Sequence, residues 1–174
     1  MSNTPQTTEQ SQPTDSTELE RLHEYYDKHI QALEAAPSQR NKTRFILKVI
    51  NNSEQGLAVS EHSLNLNAEI LASLQLSDKD VIAFAQDFPY IRNLGSPSKT
   101  LYRHFIVFGD QTRGARVEFG LRVNTTFGVF TPTITPVRTC KVTSIGATPI
   151  ACTARITREL QTEPYSFSME VTLG

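Results

Sequence analysis

The chain reads as a mostly β protein: an antiparallel β-sandwich or jelly roll of about eight strands, with one N-terminal amphipathic helix ahead of it. Three observations predict this. Between Thr43 and Leu173, short runs rich in β-branched and aromatic residues are separated by Gly, Pro, Asn and Asp turns. One run alternates cleanly, with Val117, Phe119, Leu121 and Val123 on one face and Arg116, Glu118, Gly120 and Arg122 on the other. That is the pattern of an antiparallel strand with one face buried and one wet. Finally, the strands follow one another without the intervening helices of βαβ units, and their apolar spacings do not recur at a fixed period.

In chain order, residues 1–16 form a polar, acidic tail that reads as disordered, because it has too few apolar side chains to offset the entropy of ordering it. A helix follows over 17–36. Thr17 and Glu20 have the spacing of a capping box. Leu19, Leu22, Tyr26, His29 or Ile30, and Leu33 repeat at helical spacing on one stripe, and Pro37 ends the element. The stripe either packs on the β domain or docks on a neighbouring subunit. The β domain spans 43–174. Its expected strands are 45–50, 56–66, 78–84, 100–108, 116–123, 127–134, 137–145, 149–157 and 165–173. Residues 68–76 fit a short helix or a strand and loop. Residues 88–98, with Pro89, Gly95 and Pro97, read as a loop.

Cys140 and Cys152 are the only cysteines, and they flank a turn at Gly146. Read as a hairpin, the segment places Cys140 opposite Cys152 and Val142 opposite Ile150, all on one face. A cross-strand disulfide is one outcome. Two reduced cysteines used as small core residues is the favoured one.

At 174 residues, 38% of them hydrophobic and 20% charged, the chain has the size and composition of one globular domain. Residues 1–36 hold two basic side chains (Arg21, Lys28) against seven acidic ones (Glu9, Asp15, Glu18, Glu20, Glu24, Asp27, Glu34), and the remainder has a small basic excess. No cluster of Lys and Arg marks a nucleic-acid surface, so no nucleic acid is expected as a partner. The first residues have neither the basic start nor the apolar core of a signal peptide. No run approaches the roughly 18 apolar residues of a membrane span. A cytoplasmic location is expected, with release by lysis or non-standard export open.

Motifs for catalysis are scarce. His23 and His29 lack the i, i+4 spacing of a helical metal pair, and His62 and His104 fall in different strands. No phosphate loop, metal motif or nucleophile elbow is present. No cofactor or metal is expected, and an enzyme is the less favoured reading, in which His62 or His104 serves as base. The loops say more. Phe88, Tyr90 and Ile91 beside Arg92 suit a loop that meets a membrane or a protein partner. Arg113 and Arg116 flank a turn suited to a phosphate or carboxylate. Together with Leu19, Leu22, Tyr26 and Leu33, these are the candidate interaction residues.

The run Arg44 to Ser53, followed by Gly56 to Leu66, resembles the opening strands of the aegerolysin and actinoporin-like sandwiches. The resemblance implies a small sandwich that binds membrane lipid. The chain departs from that pattern in having no Trp, a basic β domain and an added helix. The function expected first is a non-enzymatic interaction or assembly module, one form being a coat-type structural subunit, with a homo-oligomer or another protein as partner. The alternative is a lipid-binding, pore-forming, cytolysin-like sandwich.

Overall fold

The hydrophobic alternation sorts itself into two layers. A computed structural model describes residues 15–37, 39–92 and 96–174. The tail expected over 1–16 falls almost wholly outside them. The elements are α1 (Asp15–Ala35), β1 (Lys42–Asn51), β2 (Val59–His62), α2 (Ala68–Ser73), β3 (Asp80–Pro89), β4 (Ser98–Gly109), β5 (Gly114–Phe127), β6 (Pro132–Ile145), β7 (Cys152–Glu159) and β8 (Phe167–Leu173). One sheet has the order β3-β1-β8-β7 and the other β2-β4-β5-β6. Neighbouring strands are antiparallel except β1 and β8, which run parallel with Phe45 beside Phe167 and Val49 beside Val171.

Aromatic rings from facing strands join the layers. Phe45 of β1 stacks on Phe119 of β5 with centroids 4.0 Å apart, and Phe167 tilts against Phe45 at 5.1 Å. Phe88 of β3 stacks on Tyr102 of β4 at 4.2 Å. Leu47, Val49, Ile106, Phe108, Val117, Leu121 and Val171 are sealed between the sheets. Val117, Phe119, Leu121 and Val123 all face inward, as their spacing predicts.

α1 lies on the outer face of the first sheet. Its stripe of Leu19, Leu22, Tyr26, Ile30 and Leu33 is half-buried. Polar ties hold it as well. Asp27 meets the buried Lys48 ammonium of β1 at 2.6 Å, and Glu34 accepts from the Ser168 hydroxyl of β8 at 2.6 Å. At the helix end, Arg44 donates to the Leu33 and Ala36 carbonyls, which have no intrahelical partner of their own.

Three expectations are corrected. The segment from Phe88 is not loop from its start: β3 continues to Pro89. The strand expected at 127–134 is split by a turn: Phe127 ends β5, 128–131 reverse the chain, and 132–134 open β6, which continues without a break through the strand expected at 137–145. β6 runs through Pro136 because it is the last strand of its sheet, where the missing N–H breaks no ladder. The cysteine hairpin does not form. After Gly146 the chain turns away from β6. Ala147 and Thr148 donate to the Gln111 and Thr112 carbonyls, and β7 then joins the other sheet. Gly146 has φ +92°, and a Cβ there would lie 2.8 Å from the Thr112 carbonyl carbon, so the corner requires glycine. Cys140 pairs across from Phe119 and Cys152 across from Leu173, each a free, half-buried thiol in its own sheet. The ambiguous 68–76 segment is helical at α2, where the Asn67 side chain accepts from the Ile70 N–H at 2.8 Å.

Candidate interaction surface

Strand lengths decide what protrudes. β4 begins at Ser98, opposite Asn124 of β5, and Thr125 donates to the Pro97 carbonyl. Beyond that point β5 and β6 have no third strand beside them among the described residues. They continue as a two-stranded ribbon, Thr126 with Thr133 and Phe127 with Pro132, closed by residues 128–131. Phe127 is 60% exposed, Val129 92% and Phe130 95%. Large apolar side chains this open, gathered at one tip, are unusual on a protein surface. From Val123 to Val137 no side chain carries charge, and Arg122 and Arg138 bound the run.

The sequence reading took 127–134 as an ordinary strand and missed this tip. The signal available was that uncharged run with Gly128 at its centre, which spaces Phe127 from Val129 and Phe130 across a turn.

The same end of the sandwich holds the 88–92 segment. Phe88 and Tyr90 are buried, Ile91 is 61% exposed, and Arg92 pairs with Glu163 at 3.3 Å. Burial, with Glu163 beside it, pushes the Tyr90 hydroxyl far above its ordinary range. The aromatics proposed as a binding loop are thus core, and only Ile91 and Arg92 face out. Arg113 and Arg116 do not join them. Arg113 lies at the opposite end, in the β4–β5 turn, reaching Gln55. The Arg116 guanidinium sits 3.6 Å over the Phe105 ring and 3.3 Å from Glu118. Leu19, Leu22, Tyr26 and Leu33 lie on the α1 face turned to the sheet.

Charge divides the molecule lengthwise. At the ribbon end the carboxylates are engaged: Asp87 with Arg44 at 2.9 Å, Glu159 with Arg138 at 2.9 Å, and Glu163 with Arg92. Arg40, Lys42, Lys99 and Arg122 at this end form no ion pair among the described residues. The far end gathers Glu18, Glu54, Asp78 and Asp80 around one depression, with Lys79, and Asp110 and Arg113 both stand in the β4–β5 turn, so acids outnumber cations there.

Two of the four sheet edges, β6 and β7, are guarded. β6 carries Pro132 and Pro136, which offer no N–H, Lys141 on its outer face and Arg138 turned inward with its side chain 4% exposed. β7 shifts register between Ile156 and Arg158 and carries Arg155 and Arg158. These are devices that prevent edge-to-edge pairing.

His104 is half-buried. It stacks on Phe88 at 5.0 Å, and its Nδ1 lies 3.1 Å from the Ser63 hydroxyl and 3.2 Å from the Ser63 carbonyl, so Ser63 can serve either tautomer of the ring. Burial lowers its pKa below the ordinary histidine value. His62 Nδ1 faces the Leu64 carbonyl at 2.9 Å. Neither touches a carboxylate among the described residues. Burial pushes the Cys140 thiol up, away from the reactive thiolate. Among the described residues, no group of three or more His, Cys, Asp or Glu is placed to hold a metal ion, and no helix is long and apolar enough to cross a membrane. Compared with protein-family models, curated proteins and solved structures, the chain matches none.

Proposed function

We propose that the protein is a non-enzymatic interaction module that works through the β5–β6 ribbon tip. The observation that carries this reading is the near-complete exposure of Val129 and Phe130. Two large apolar side chains held in water at the end of an ordered ribbon are unfavourable alone, and burial against a partner relieves that. Guarded edges on β6 and β7 disfavour strand addition at those two edges and leave the tip beside them as the contact.

The reading requires a tip that contributes nothing to the fold of the single chain. Val129→Ser with Phe130→Ser is expected to leave urea-unfolding stability within about 1 kcal/mol of the parent, as for ordinary surface positions. A loss of several kcal/mol would mean that the tip packs within its own chain, and the interaction reading would fail.

A further inference from the structure

We infer that the surface entered by the ribbon tip is an anionic lipid bilayer, an inference that rests on the interaction reading above. Shape comes first. The ribbon is convex and narrow. A stable protein interface needs on the order of 800 Å² from each partner, which three side chains on a two-stranded tip do not provide. A bilayer accepts a protrusion with no complementary shape. Thr125 is the last residue of β5 anchored to the body, through Pro97. The three residues to Gly128 reach about 10 Å further at ~3.3 Å per residue. That is the depth of the headgroup and upper acyl region, about 5–10 Å, where interfacial apolar groups lodge.

Chemistry comes second. The segment that would enter lipid has no charged side chain from Val123 to Val137, so no ionised group is carried into the hydrocarbon boundary. Its polar residues are mostly threonines, whose hydroxyls suit a headgroup layer.

Electrostatics selects the kind of bilayer. Arg40, Lys42, Lys99 and Arg122 stand behind the tip with no carboxylate partner among the described residues, while nearby acids are already paired. Cations held close to a surface are drawn to acidic headgroups. At the far end the acids Glu18, Glu54, Asp78, Asp80 and Asp110 outnumber Lys79 and Arg113, so that pole is repelled by the same surface. The two poles together orient the long axis of the sandwich along the membrane normal, tip down.

The chain contains no Trp, so Phe130→Trp in the full chain places one clean fluorophore at the tip. With phosphatidylcholine vesicles containing phosphatidylserine, its emission is expected to shift to the blue and to be quenched by lipids brominated in the upper acyl chain. Pure phosphatidylcholine should give a much weaker response, and added salt should reverse the binding. In flotation of the otherwise unaltered chain, Val129→Ser with Phe130→Ser is expected to weaken vesicle binding about tenfold or more. Lys99→Gln with Arg122→Gln should weaken it and flatten its salt dependence. Absence of a shift on acidic vesicles, or flotation indifferent to the serine substitutions, overturns the bilayer as occupant. If vesicles are ignored while light scattering shows an oligomer that the serine variant dissolves, the partner is a second copy: the interaction reading stands and the lipid inference falls.

Discussion

Two aromatic segments sit at the same end of this sandwich and meet opposite fates. Phe88 and Tyr90 are 8% exposed, while Phe127 is 60% and Phe130 95% exposed. Composition does not separate them, since each segment is short, aromatic and bordered by Pro or Gly. What separates them is reach. Phe88 is still within β3, paired with Thr43 of β1, and the facing sheet supplies Tyr102 and His104 as a stacking surface. The β5–β6 ribbon has outrun β4, and no facing layer extends beside it. An aromatic side chain is buried here only where both layers are present at its level.

The largest test of that contrast is Phe88→Ala, expected to cost about 3–5 kcal/mol in urea unfolding through the cavity left against Tyr102. A smaller effect follows from Gly120, where a Cβ would lie 2.6 Å from the Tyr102 carbonyl oxygen. Gly120→Ala is expected to destabilise by about 1–3 kcal/mol, by forcing back the strand on which Phe88 rests. Phe130→Ala should change stability by no more than about 0.5 kcal/mol. If it cost as much as Phe88→Ala, the comparison would be broken.

The smallest effect is a pH dependence. Burial lowers the His104 pKa in the folded chain, so the unfolded chain binds the proton more readily. Stability contributed by neutral His104 is complete above the unfolded value near 6.5 and is lost as pH falls through the lowered folded value. Among the groups with a resolved shift, the others titrate well outside this range. Melting temperature should therefore fall modestly from pH 7.5 to 5.5, and His104→Gln should flatten that slope. An unchanged slope would remove His104 from the account.

How much of this was legible in the chain divides by range. The β class was legible because one-sided burial writes itself as alternation, as in Val117 to Val123. α1 was legible because an apolar stripe and a terminating Pro lie within one segment, although the helix already runs from Asp15, so the Thr17–Glu20 pair expected to cap it lies inside its first turns. The fate of Gly146 was not. It turns on carbonyls at Gln111 and Thr112, in a turn distant along the chain, so the expected hairpin became a crossover. The ribbon tip was hidden for a related reason. Whether Phe127 to Phe130 is covered depends on where β4 begins; the uncharged run around Gly128 marks a turn but does not record that. The 88–92 segment was misjudged in the opposite sense: its loop-forming Pro and Gly were visible, but the pairing that extends β3 to Pro89 was not.

The position of β8 sets the order in which this domain can be made. It is the domain's final strand, yet it lies inside its sheet, between β1 and β7. On the ribosome, β1 and β3 emerge early and can zip together, but the other flank of β1, from Phe45 to Asn51, waits for residues 167–173. During that interval a row of unsatisfied backbone groups and inward-facing Phe45, Leu47 and Val49 stand open. Closure of this sheet therefore comes later than the β1–β3 pairing and is governed by a contact of very long sequence separation.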